Sequence, residues 1–198
     1  MGESGSGKSC SMRNFNSDEV GVFNVASKPL PFKSNLKKID NANYNSIIKA
    51  LSKPNLKTYV IDDSQYLMAF EMFDRAKETG YNKFTDIALN FKNLITFIST
   101  GVPDDVIVYF LHHVETTEQG RIKAKTSGKM IDNQLTLEGL FSIVLLANNE
   151  MNEYKFITQS NGFTTAKSPM GMFTPEIDND LKKVDQIIRE YYNLGGTE

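Results

Sequence analysis

The feature that most constrains this chain lies at its start. Gly2, Glu3, Ser4, Gly5, Ser6, Gly7, Lys8 and Ser9 fit the spacing GxxxxGK[ST]. Glycines at these positions let a backbone curl round a phosphate with its N–H groups turned inward, and a following helix adds its positive N-terminal end. Lys8 then serves as the point charge on the β- and γ-phosphates, the Ser9 hydroxyl as a Mg²⁺ ligand, and Cys10 closes the set of loop residues lining the nucleotide. With glycine at about 7% of residues, a chance match in a chain this long is on the order of one in a hundred. The competing reading is a flexible Gly/Ser tail that happens to fit.

A loop of this kind needs a sheet behind it, and the rest of the chain supplies candidate strands. Val20–Ala26, Thr58–Asp62, Val106–Leu111 and Phe141–Leu146 are near-continuous apolar runs, the pattern of strands covered by helices on both faces. Tyr154–Thr158 alternates more and reads as an edge strand. Between them lie helical stripes. Phe84, Ile87, Ala88, Phe91, Leu94, Ile95 and Ile98 recur at 3–4 residue spacing, and Tyr44, Ile47, Ile48 and Leu51 mark a shorter helix. Ser64–Lys77 is expected to turn Leu67, Phe70 and Phe73 inward, with Gly80 as its stop. Ile177, Leu181, Val184, Ile188 and Tyr191 form a last helix, with Thr174 and Pro175 as its N-cap and first turn. Strands alternating with helices predict one α/β domain over residues 1–198 with a mostly parallel sheet.

Composition narrows the setting. The 198 residues are 40% hydrophobic, and 22 Lys plus Arg face 24 Asp plus Glu for a net charge of −2. That balance argues against disorder and against a globally basic nucleic-acid coat, so any DNA contact must come from a local patch. The single Cys10 excludes an intrachain disulfide and a multi-Cys zinc site. No apolar run approaches a membrane span or the core of a signal peptide, so a soluble, cytoplasmic chain is expected.

A second motif supports the loop. Thr58–Asp62 ends in a carboxylate, the Walker B arrangement, which places Asp62 at a strand tip where it can hold Mg²⁺. Asp63 follows and reads two ways, as the group that positions the attacking water or as a helix cap. His112 and His113 end the Val106–Leu111 run. Adjacent strand residues point to opposite faces, so the two make a poor joint metal site. His112 is the preferred γ-phosphate sensor, against an ordinary hydrogen-bonded strand end.

Together the loop GESGSGKS, the strand YVIDD followed by Gln65 and Tyr66, FLHH, TSGKMIDNQLTLEGLF and NGFTTAKSPMGMF resemble phage-encoded RecA-like P-loop ATPases. These belong to the AAA-type group associated with single-strand-annealing recombination. The resemblance runs from Gly2 to about Phe173. It implies a RecA-like core, Mg·ATP hydrolysis, and action on or near single-stranded DNA in the host-cell cytoplasm. It also implies an annealing or single-strand-binding partner and a homo-oligomer. In such ATPases a late Lys or Arg reaches a neighbour's γ-phosphate, a role that falls to Lys167, against an ordinary surface lysine. DNA contact falls to Arg121, Lys123, Lys125 and Lys129, against the favoured reading of a solvated, exposed hairpin arm. No aromatic residue is interleaved with them in sequence.

Two departures stand out. The strand-end position where the family carries a catalytic acid reads Ala26, Ser27, Lys28, which moves water activation to Asp63 or leaves hydrolysis slow. The alternative function is therefore a non-hydrolysing, nucleotide-gated module for a recombination partner. A small-molecule kinase is disfavoured because Arg13, Arg75, Arg121 and Arg189 are dispersed. The second departure is that only Met1 precedes Gly2, where a central strand is expected. Losing such a strand forfeits about ten ladder bonds of about 1 kcal/mol each, comparable with a whole domain's stability. A chain beginning upstream is favoured over a sheet completed otherwise or impaired nucleotide binding.

Overall fold

Four strands run parallel in the order β2 (Lys37–Asp40), β1 (Val20–Asn24), β3 (Thr58–Asp62) and β4 (Ile107–Phe110) in a computed structural model that describes residues 1–127 and 136–195. Alternation along the strands explains why the sequence reads as unbroken apolar runs. Phe23, Tyr59 and Ile61 pack on one face against Ile47 and Leu51 of α1 (Tyr44–Leu51), Leu67 and Met68 of α2 (Gln65–Asp74), and Phe91 and Leu94 of α3 (Asn82–Gly101). Val20, Val22 and Val60 pack on the other against Met12, Phe15, and Leu181, Val184 and Ile188 of α4 (Leu181–Tyr192). A strand buried on both faces has no side free for polar residues.

Local chemistry sets the helix ends. Asn43 and Ser46 form a reciprocal capping box at the start of α1. Asp180 caps α4 by accepting from the N–H groups of Lys182 and Lys183, and Asn193 ends it in the left-handed conformation (φ 53°).

The remaining strands are antiparallel. β5 (Val114–Thr116) and β6 (Ile122–Ala124) form the expected hairpin. β7 (Leu146–Glu150), β8 (Glu153–Ile157) and β9 (Glu176–Asp178) form a three-stranded sheet with β8 in the middle, not at an edge. Ile177 belongs to β9, so the last helix starts later than its apolar spacing suggests, with Asp180 rather than Thr174 as its cap. Phe73 is 74% exposed and Phe70 also faces outward, because α2 turns Leu67 and Met68 to the core instead.

Met1 and Gly2 join the two sheets. The Gly2 N–H donates to the His112 carbonyl at 3.0 Å, and the Ala147 N–H donates to the Met1 carbonyl at 2.7 Å. This two-residue stub stands where a full central strand was expected. Of Phe141–Leu146, expected as one strand, only Leu146 lies in a strand, the first residue of β7, and the rest is irregular but for a bridge from Val144 to Lys167.

A buried polar network clamps α4 to the sheet. Asp185 accepts from the Thr58 and Tyr109 hydroxyls at 3.1 and 3.0 Å and from Arg189 Nε at 2.7 Å. Arg189 in turn donates to the Lys57 and Asp105 carbonyls. Removing one member of such a network strands the others, so Asp185→Ala is expected to cost about 3 kcal/mol. A urea titration should show a lower midpoint with an unchanged slope.

Candidate nucleotide-binding site

The Gly2–Ser9 segment closes on itself as a loop. Gly5 and Gly7 adopt φ of 80° and 90°, a region costly for other residues. Space forbids a side chain at Gly7 as well, since a Cβ there would lie 2.6 Å from the Tyr154 ring. Inside the loop, Lys8 is buried and donates to the Gly2 and Glu3 carbonyls at 2.8 and 2.6 Å. Burial pushes its pKa down to about 8, opposed by Asp63 and Asp62. The lysine thus remains mostly protonated at neutral pH.

The helix expected after the loop is reduced to a 3₁₀ turn, Ser9–Met12. The turn-forming residues Asn14, Asn16, Ser17 and Asp18 follow it. Arg13 and Asn14 are then pinned by hydrogen bonds to the Asn179 carbonyl (2.6 Å) and the Asp180 carboxylate (2.8 Å). A substantial helix dipole aimed at the loop is therefore not part of this site.

The loop and the strand-end carboxylate meet directly. The Ser9 hydroxyl donates to Asp62 Oδ1 at 2.8 Å. Burial pushes the Asp62 carboxyl up, opposed by that hydrogen bond. Asp63 turns away in the left-handed region (φ 59°), and both its oxygens are engaged. Oδ1 meets His113 Nε2 at 3.2 Å, and Oδ2 meets Lys28 Nζ at 2.6 Å. Burial alone would raise its pKa, but bonds from His113 and Lys28 overcome this and hold it below the ordinary carboxylate value. The carboxylate does not cap α2, whose N-cap is Ser64.

Of the two histidines, His113 reaches Asp63. His112 is enclosed, with Nε2 2.7 Å from the Lys125 carbonyl and Nδ1 2.9 Å from the Ser64 hydroxyl. A carbonyl partner requires the proton on Nε2, so Nδ1 accepts from Ser64. Burial lowers the pKa to about 4. His112 is thus a neutral tether with both nitrogens occupied.

Lys28 is the functional candidate that motif reading passed over. The parallel register sets Asn24 beside Asp62, so the residues just past β1 arrive at the site. The Lys28 ammonium also lies 5.8 Å from the Tyr66 ring centroid. Its charge stands near the position where an acid was sought. Two further groups adjoin the loop: Asn179, buried with neither side-chain amide atom partnered, and the buried, unpartnered Ser6 hydroxyl.

Lys167 is not drawn into this cluster. Its backbone bridges Val144, three residues before the level of Gly2 on that segment. In the hairpin, the Lys123 ammonium pairs with Glu115 at 2.9 Å, whereas Arg121 and Lys125 are exposed. Lys129 and part of the TSGKMIDNQLTLEGLF segment lie outside the described residues. The structure supplies an aromatic neighbour that sequence order did not: the Ile122 N–H donates to the Phe163 carbonyl, and Phe163 is 62% exposed.

Among the described residues, no group of three or more His, Cys, Asp or Glu gathers to hold a metal. Ser9 and Asp62 nevertheless suit Mg²⁺, which keeps several waters and takes one or two carboxylates plus substrate phosphates. No family model matches the sequence, and a search of curated proteins finds no match either.

Because the Asp62 carboxyl is raised, its ionised form costs stability above the unfolded pKa. That cost vanishes as acid protonates both states. Asp62→Asn should therefore raise the melting temperature of the nucleotide-free protein by a few degrees at pH 7. The gain should fade as pH falls through the raised value and be gone below about pH 4, as thermal scans across pH would read.

Proposed function

We propose that the chain is a Mg-dependent ATPase of RecA-like architecture that handles single-stranded DNA in phage recombination or replication. The observation that carries this reading is the 2.8 Å hydrogen bond from Ser9 to Asp62, which puts the glycine-rich loop and the strand-end carboxylate in one site. The four-stranded parallel sheet flanked by helices is compatible with it.

In this reading Lys8 leaves the Gly2 and Glu3 carbonyls for the β- and γ-phosphates, exchanging two neutral acceptors for anionic ones. Ser9 and Asp62 would hold Mg²⁺, which would supply neutralisation of charge developing on the phosphates. Asp63 orients the attacking water. Its depressed pKa makes it a weak base, yet phosphoryl transfer depends more on positioning and electrostatics than on base strength. Lys28 and His113 fix the carboxylate's direction. Lys167 serves a neighbouring subunit in a homo-oligomer. Arg121 and Lys125 contact phosphates, and Phe163 offers a stacking face for a base. An annealing or single-strand-binding protein is the partner.

The alternative, a nucleotide-gated module without turnover, draws on the Lys28–Asp63 ion pair and the absence of a carboxylate at 26–28. As to location, no helix among the described residues is long and apolar enough to cross a membrane. We assign the protein to the cytoplasm of the host cell.

Phosphate release with and without single-stranded DNA, beside calorimetric ATP titration, tests the ATPase reading. Lys8→Ala should weaken ATP binding at least about tenfold, one lost charge-assisted contact. Asp63→Ala should retain binding and lower kcat about a hundredfold. Tight binding with no turnover in either protein supports the alternative, and no ATP binding by the unmodified protein overturns both.

A further inference from the structure

The turn that delivers Lys28 to the site is held at several points. Asn24, buried at the end of β1, donates from its side-chain amide to the Lys28 carbonyl at 2.8 Å and to the Asp40 carboxylate at 2.5 Å. Ser27 sits in the left-handed region (φ 54°), uncommon for a residue with a side chain. Its hydroxyl accepts from the Asn41 N–H at 2.6 Å. The Val25 N–H donates to the Asp62 carbonyl at 3.3 Å, which ties the start of the turn to the tip of β3. The Lys28 backbone is thereby fixed beside Asp62 and Asp63.

The Lys28 side chain, in contrast, has bonding capacity to spare. It is 59% exposed, and among the described residues its ammonium meets one carboxylate, Asp63, and the ring of Tyr66. The Tyr66 ring is itself packed edge-on against His113, with centroids 5.6 Å apart. An ammonium has three N–H donors. Asp63 takes one of them, and the others remain for a second acceptor.

Position decides which acceptor that is. Under the ATPase reading, on which this inference rests, a water oriented by Asp63 lies about 3 Å from the carboxylate and about 3–3.5 Å from the γ-phosphorus. An ammonium 2.6 Å from the same carboxylate is within reach of the γ-phosphoryl oxygens, while Lys8 approaches the phosphates from inside the loop. We propose that Lys28 is a further catalytic residue. It keeps Asp63 with one N–H and donates another to the γ-phosphate of ATP bound in the same subunit, so that it distinguishes a nucleoside triphosphate from a diphosphate. In hydrolysis the water oxygen bonds to the γ-phosphorus as the bond to the ADP oxygen breaks, and one water proton passes to a phosphoryl oxygen. Lys28 retains its protons throughout and offsets the negative charge of the γ-oxygens. A cation supplied in cis thus stands beside the acid it pairs with, at the strand end where residues 26–28 carry no carboxylate.

Calorimetric titration with ADP and with a non-hydrolysable β,γ-imido analogue of ATP, both with Mg²⁺, tests the contact beside phosphate release from ATP. Lys28→Ala should weaken the analogue at least about tenfold and leave ADP within about twofold. The unchanged ADP affinity reports an intact fold. The same variant should lower kcat at least about a hundredfold, and Lys28→Arg should restore most of both losses. Added to Asp63→Ala, Lys28→Ala should still weaken the analogue, which a lysine that merely holds Asp63 would not do. If the protein binds ATP without turnover, the binding comparison decides alone. Equal loss for both nucleotides, loss for neither, or a rise in kcat overturns the proposal and leaves the ATPase reading standing. Binding of neither nucleotide by the unmodified protein overturns that reading and this role together.

Discussion

The site depends on the complete enclosure of Thr58–Asp62. All five residues are buried, with β1 on one edge, β4 on the other and helices over both faces. A strand so confined cannot slide by one residue without sending Tyr59 and Ile61 to the wrong layer. Its last carboxylate therefore emerges at a fixed point. The Ser9 hydroxyl meets Asp62 there, while Gly2 at the root of the loop is hydrogen-bonded to the end of the neighbouring strand.

Around that point the protein gathers Lys8, Lys28, Asp62, Asp63 and His113, with Lys8 and the two carboxylates buried and Lys28 reaching in from the surface. Buried charges of this kind persist when each has a partner. Asp63 has two, and is the more readily ionised of the pair. Asp62 has a hydroxyl in place of a cation and is held in the costlier state. Lys8 resolves its burial through backbone carbonyls. The arrangement thus spends stability on an under-compensated carboxylate and an inward-folded lysine, the two groups to which the proposed ATPase reading gives Mg²⁺ and the phosphates.

Much of the scaffold was legible in the sequence where one physical signal dominated. Thr58–Asp62 agrees with the structure residue for residue, and Tyr44, Ile47, Ile48 and Leu51 all fall within α1, since an apolar run between turn residues and an amphipathic stripe have few rival readings. β2 escaped notice because all four of its residues are exposed and it carries no apolar pattern. β9 was absorbed into the following helix because Ile177 happens to continue that helix's spacing. At the site, the loop and Asp62 were visible as motifs, whereas Lys28 and His113 become neighbours of Asp63 only through strand register and the turn at Asp63. The basic hairpin was visible, but Phe163 comes to its side from about forty residues away in sequence.

His112 has a wider consequence than its two hydrogen bonds suggest. Its ring rivets the hairpin, through Lys125, to Ser64 at the head of α2, while its own carbonyl holds Gly2 at the root of the loop. Three segments distant along the chain thus share one fastening. Because enclosure keeps the imidazole uncharged down to about pH 4, that fastening is indifferent to the proton fluctuations of a living cell. Acidity loosens it only by drawing protons onto the unfolded chain below about pH 6.5, where the opened imidazole takes the charge that the folded one refuses.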